Sequence, residues 1–415
     1  MPTVVLLGTL DTKGVEYDYL VRRVREAGCA TILIDAGILG APLAVPDVTR
    51  EMVALLAGTD VATLAAAGDR GAALATMARG ATALIKGFST LGRLHGILGL
   101  GGSGGTALVS EVMRTLPVGV PKLIVSTVAS GDTRAYVGAT DIALMHSVVD
   151  IAGINRFSAR ILTNAAAAVA GMAWAYAESL AAPAGETKPL IGASMFGVTT
   201  PCVTEARRIL EERGYEVLVF HAVGTGGQAL EALIAGGFLA GVLDATTTEL
   251  ADELVGGVFS AGPTRLTAAG AAGLPQVVSL GALDMVNFGP KDTVPAQFRD
   301  RNLYVHNSSI TLMRTTPEEC AELGRRVAAR LNAATGPTAL YIPLRGVSAI
   351  ATAGGVFHDP EADSALLDAL RADLADHVEV HELDLDINDP RFAAAMAARL
   401  LAMLGAARIV TKEWV

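Results

Sequence analysis

The strongest constraint on this chain is a unit that occurs twice. Val4 to Leu7, a run of valine and leucine, ends at Gly8 and leads through a loop into an amphipathic stretch, Glu16 to Ala27. Gly28 stops that helix before a second run, Thr31 to Ile34. The same order returns as Leu190 to Ala193, the loop SMFGVTTP, a helix from Val203 to Arg213, Gly214 as stop and a strand from Glu216 to Phe220. Gly28 and Gly214 lie 186 residues apart, as do Asp35 and His221, which terminate the second strands. Strand–helix–strand units join parallel strands by right-handed crossovers. The expectation is therefore an α/β protein: two Rossmann-like lobes with mainly parallel sheets and a cleft between them. The Pro/Gly/charged stretch AAPAGETKP, 181 to 189, places the boundary, giving domains 1–185 and 186–415.

Composition agrees with buried parallel strands. Hydrophobic residues make up 51% of the 415 positions and charged residues 18%, which excludes a disordered chain. With 45 glycines and only 5% aromatics, the apolar content is mostly Ala, Val, Leu and Ile. The net charge of −10 leaves no basic footprint for nucleic acid. Cys29, Cys202 and Cys320 form no CxxC, so a reducing cytoplasm is expected. MPTVVLLGTLDTKG has no basic segment before its apolar run and reads as a strand, not a signal. The stretch Ile161 to Ala177, interrupted by Thr163 and Asn164, reads as a buried Ala-rich helix and not a membrane span.

Strand ends supply the candidate chemistry, because ligands of open parallel sheets sit beyond the carboxyl ends of strands. Gly96 to Leu100 runs into GGSGGT, and Gly99, Gly101 and Gly104 satisfy G-x-G-x-x-G. The segment nearly matches a phosphate-binding P-loop, with Gly105 where its lysine would stand. Gly101, Gly102, Ser103, Gly104, Gly105 and Thr106 are expected to cradle phosphates with backbone N–H groups before a helix from Ala107. A turn that needs glycine for positive φ is the alternative. In GTLDTKG, Gly8, Thr9, Asp11, Thr12 and Lys13 are the next candidates. Lys13 would replace the missing lysine and Asp11 would hold Mg²⁺, against a reading in which Asp11 or Thr12 only caps a helix. In STVASGD, Thr127, Ser130 and Asp132 are ligand candidates or turn formers.

The second half offers His221 as acid or base, with Asp244 and Asp284 as strand-end carboxylates that burial would make costly unless paired or used. All three are expected to face the first lobe as catalytic residues. His146 and Asp150, four apart, read as a structural pair on a helix, and Cys202 as a small buried side chain. Pro317 and Pro360 mark helix starts.

Taken together, GTLDTKG, GLGGSGGT, STVASGD, SVVDIAGIN, GASMFGVTTPCV, LVFHAVGTGG, GALDMVNFGP, HNSSITLMRTT and INDPRFA cover nearly the whole chain. In these segments it resembles the Tm-one-like ATP-binding proteins, an uncharacterised family of bacteria and fungi that also forms the N-terminal part of a plant tobamovirus-resistance protein. The resemblance implies a two-lobed homodimer that binds ATP. Joined to the loop chemistry, it leads to the expectation of a cytoplasmic Mg-ATP-binding enzyme of small-molecule metabolism, acting on a second small molecule. Neither nucleic acid nor membrane is an expected partner. The alternatives are a non-catalytic ATP-dependent regulatory module and a two-lobed nucleotide-sugar enzyme of the 2-epimerase kind.

Overall fold

Short runs of Val, Leu and Ile form strands buried on both faces in the computed structural model, which describes residues 1–182 and 187–406. These fall into two units, one in each described range. The boundary expected at 185/186 lies outside the described residues.

The first unit runs β1 (Thr3–Gly8), α1 (Leu10–Glu26), β2 (Ala30–Asp35), α2 (Arg50–Leu56), α3 (Val61–Ala66), α4 (Arg70–Thr90), β3 (Gly96–Gly101), α5 (Ser103–Met113), β4 (Lys122–Ser126), α6 (Arg134–Val137), β5 (Ala143–His146) and α7 (Arg156–Ala181). Its sheet has the order β2-β1-β3-β4-β5, with every pairing parallel. Val53, Met77, Ile85 and Val109 of α2, α4 and α5 cover one face. Tyr17 and Leu20 of α1 cover the other with Leu162 and Val169 of α7. The Ala-rich α7 is the buried helix read from the sequence, and Asn155 closes its start in a capping box with Ser158.

The second unit runs β6 (Leu190–Met195), α8 (Thr200–Glu212), β7 (Glu216–His221), α9 (Thr225–Ala235), β8 (Gly241–Thr246), α10 (Glu249–Val255), α11 (Ala268–Ala271), β9 (Gln276–Gly281), β10 (Met285–Phe288), β11 (Leu303–Asn307), β12 (Ile310–Arg314), α12 (Pro317–Asn332), β13 (Thr338–Pro343), α13 (Pro360–Asp373), β14 (Glu379–Leu383) and α14 (Pro390–Ala406). Its main sheet, β14-β13-β9-β8-β6-β7, repeats the order of the first and adds an edge strand. Cys202 and Ala206 of α8 pack with Phe392 and Met396 of α14 on one face.

The doubled unit is thus a doubled topology. Gly28 and Gly214 end α1 and α8 with φ of +83° and +89°, the left-handed region that glycine enters without a Cβ clash. Three expectations are corrected. A small antiparallel sheet, β10-β12-β11, was not read from the sequence. The helix expected from Ala107 begins at Ser103. His146 ends β5 and Asp150 follows in a loop, so the two share no helix.

Candidate functional site

In the first sheet the connection from β1 leads to β2 on one side and that from β3 leads away to β4 on the other. A crevice opens where the two diverge, beyond the carboxyl ends of β1 and β3. GTLDTKG and GGSGGT both lie there. The β1–β3 ladder ends at Leu7 and Gly99. Past it, the Tyr17 hydroxyl donates to the Leu7 carbonyl at 2.5 Å and accepts from the Leu100 N–H at 2.9 Å, tying the strands together. Burial pushes the phenol well above its usual range, so it remains a donor. A Cβ on Gly8 would stand 2.0 Å from that hydroxyl, so Gly8 makes room for Tyr17 and its ligand role is withdrawn.

The glycines of the second loop divide into two kinds. None of them has positive φ, so the tight-turn alternative does not account for them. A Cβ on Gly99 would lie 2.4 Å from Val109, and one on Gly101 would lie 2.9 Å from the Gly105 Cα. One on Gly105 would lie 3.2 Å from the Leu100 oxygen. These three are packing glycines. At Gly102 the nearest atom is Thr127 Oγ1 at 3.6 Å, and at Gly104 it is Leu74 Cδ1 at 3.4 Å. A side chain would fit at either. Gly102 is the N-cap of α5 and offers no side-chain acceptor to the first turn of the helix. The Thr106 hydroxyl is buried against Ser126 at 2.7 Å, which removes Thr106 from the ligand candidates.

Arg70, at the first position of α4, has a guanidinium nitrogen 3.6 Å from where a Gly104 Cβ would stand. It lines an open pocket together with Thr9, Asp11 and Thr12. The Thr9 and Thr12 hydroxyls share a hydrogen bond of 2.9 Å. Asp11 Oδ2 accepts from the N–H groups of Ile38 and Leu39 at 3.1 and 2.9 Å, while its Oδ1 is buried without a partner.

Other candidates are engaged elsewhere. Lys13 stands at a kink in α1 and donates its ammonium to the Ile151 carbonyl, so the expectation that it replaces the missing P-loop lysine is corrected. Asp132 pairs with Arg134 at 2.6 Å on the surface, and that guanidinium holds its carboxyl down at about 2. Ser130 is exposed beside it, whereas Thr127, whose N–H donates to the Gly101 carbonyl at 3.2 Å, keeps its hydroxyl beside Gly102 and stays a candidate.

In the second unit, Asp244 is not a free carboxylate. It accepts from Arg265 at 2.5 and 2.7 Å and from Ser194 at 2.6 Å, while Arg265 Nε donates to Glu249 at 2.6 Å. Arg265 has no solvent exposure, and a carboxylate held by a bidentate ion pair that deep is a structural partner of the guanidinium. The catalytic reading of Asp244 is therefore corrected. His221 is exposed at the end of β7 and stacks on Phe196, with ring centroids 5.4 Å apart. Asp284 accepts from Ser348 at 2.8 Å on Oδ2, keeps Oδ1 without a partner and is pushed by burial up to about 6. The three expected catalytic residues share no hydrogen bond. Among the described residues, no three His, Cys, Asp or Glu side chains converge as a metal site, and no helix is long and apolar enough to cross a membrane.

Residues 2–178 and 188–404 match the N-terminal and C-terminal domain families described as uncharacterised protein family UPF0261. The chain belongs to the UPF0261 family. A UPF0261 protein of Clostridium tetani is 51% identical over 97% of this chain and 98% of its own length. The ToMV resistance protein Tm-1(GCR237) of Solanum lycopersicum is 46% identical over 80% of this chain, which corresponds to 44% of the tomato protein. The Tm-one-like resemblance read from the sequence is thereby borne out. Among solved structures, a UDP-N-acetylglucosamine 2-epimerase from Rickettsia bellii covers 98% of this UPF0261 chain and 96% of its own, at 9% identity and a TM-score of 0.23. That superposition is too loose to argue from.

Sequence reasoning missed Arg70, Tyr17 and Arg265. Only Arg70 had a local signal, the helix start Asp69-Arg70, and nothing in the sequence ties it to a loop some thirty residues later.

Proposed function

We propose that the first unit of this UPF0261 protein binds ATP, with the phosphates against the N-terminus of α5. One observation carries the reading: Gly102 and Gly104 stand at an uncapped helix start where neither backbone conformation nor packing requires glycine, beside the Arg70 guanidinium. A helix N-terminus attracts anions through unpaired N–H groups and its dipole, and bare glycines let phosphate oxygens reach those groups. Arg70 supplies a forked cation in place of a P-loop lysine. Thr9 and Thr12 offer hydroxyls in the pocket that Arg70 lines.

The second strand supports ATP over a dinucleotide. A dinucleotide fold keeps an acid at the end of that strand for the ribose. Here Asp35 is buried, accepts from Arg50 at 2.7 Å and takes the N–H groups of Leu10 and Gly37. Asp11 fits Mg²⁺ through its unpartnered Oδ1, since Mg²⁺ bound with a nucleotide needs only one or two protein carboxylates. Bound there, Mg²⁺ would offset phosphate charge.

The reading extends to a homodimeric cytoplasmic enzyme acting on a second small molecule, and three buried free cysteines agree with a reducing compartment. A non-catalytic ATP-responsive module is the second reading, favoured by the Arg265 pairing that withdraws Asp244 from chemistry. Titration calorimetry with ATP, ADP and adenosine tests the binding. Release of ADP or AMP in the presence of a metabolite pool supports the enzyme, and saturable binding without release supports the module.

A further inference from the structure

We propose that residues 58–69 form a flap that folds onto the nucleobase, so that the base, and not the phosphates, closes the pocket. This rests on the ATP reading of the first unit. A left-handed glycine stands at each end of the segment: Gly58 and Gly68, with φ of +78° and +68°, end α2 and α3, and a Cβ on either would meet nothing within 4 Å. With open space at both turns, what holds the segment down is the packing of α3 itself.

Between the two glycine turns lies α3, which buries none of its residues. Only Val61 and Leu64 touch the core, and both are partly buried. The helix is closed on itself, because Asp60 accepts from the N–H and the hydroxyl of Thr63, both at 2.8 Å. Asp69 caps α4 separately by accepting from Ala72 at 3.0 Å. Each cap stabilises its own helix, and neither spans the Gly68 turn between them.

Leu64 and Ala65 of the flap line the pocket together with Ile38 and Leu39. Leu39 is 72% exposed, an apolar side chain left in water in the lining of the pocket. A flat, uncharged, largely apolar ring entering between Leu39 and Leu64 takes both from water, and that burial is what closure gains. A nucleobase has this chemistry and a polyphosphate does not. Arg70 lies past the Gly68 turn, on α4, and stands beside Gly104 without any movement of the flap.

Amide hydrogen exchange of the whole chain tests this with ATP, adenosine and inorganic tripolyphosphate, each near saturation. ATP and adenosine should both slow exchange of the 61–66 amides by about fivefold or more. Tripolyphosphate should compete with ATP yet leave those amides unchanged. Leu64→Ser should weaken ATP and adenosine alike by about fivefold to tenfold and leave tripolyphosphate affinity unaltered. ATP that binds with wild-type exchange at 61–66 overturns the flap and leaves the ATP reading standing, as does equal protection by tripolyphosphate. Absence of saturable ATP binding overturns both.

Discussion

The ammonium of Lys13 donates to the carbonyl oxygen of Ile151, tying the kink in α1 to the loop after β5. A cation held in that way is a structural tie between distant segments. Lys13→Ala should therefore lower stability by about 1.5 kcal/mol, the scale of a hydrogen bond to a charged group, while ATP affinity stays within about twofold. Scanning calorimetry and ATP titration on one preparation check it. A large loss of ATP affinity without loss of stability would return Lys13 to the phosphates.

Gly101 and Gly104 separate packing from binding within one loop. A Cβ at Gly101 would press on the Gly105 backbone at 2.9 Å, so Gly101→Ala should destabilise the fold by about 1–3 kcal/mol. Gly104→Ala has 3.4 Å of clearance and negative φ, and should melt with the wild type. Urea denaturation of the two variants side by side reads the difference.

Asp244→Asn should act on stability before it acts on any turnover. Removing the charge leaves the fully buried Arg265 with only Glu249 and Glu231 as acidic partners, a loss of about 3–5 kcal/mol for a broken buried pair. A variant that unfolds at the wild-type urea midpoint would contradict the structural assignment.

Asp252 gives the second unit a pH signature. Burial raises its carboxyl from 3.8 to about 7, against N–H donors from Phe259 and Asn287. A group whose folded value lies above its unfolded one binds more protons when folded, so its contribution is complete below pH 3.8 and is lost as pH rises through 7. Relative to Asp252→Asn, the wild type should lose stability between about pH 5 and 8, by up to about 1.4 kcal/mol per pH unit for one proton. The unpartnered Asn287 Oδ1 can receive the new amide once the Asn287 side chain turns over. Parallel stability curves for the two proteins would refute the assignment.

The fold was legible because its signals are local. Helix-stopping glycines at a fixed spacing and β-branched runs ending in polar residues are visible without tertiary knowledge, and Gly28 and Gly214 adopt the backbone that the repeat implies. The antiparallel β10-β12-β11 sheet is not legible in the sequence because its strands are only four and five residues long. The Asn307-Ser308-Ser309 turn was its one available signal. At the candidate site, residue types pointed to loops but not to side-chain directions. Lys13 turns away at a kink of φ −128°, and Arg70 arrives from a helix far along the chain. Asp244 looked free because its partner, Arg265, is 21 residues on and carries no motif.

The most direct test of ATP at the α5 N-terminus is titration calorimetry of ATP and adenosine into wild type, Gly104→Ala and Arg70→Ala, each verified as folded. The account predicts saturable ATP binding by the wild type, weakened about tenfold, or 1.4 kcal/mol, in each variant, with adenosine affinity changed less than about twofold. Undiminished ATP binding by both folded variants, or none by the wild type, would contradict it.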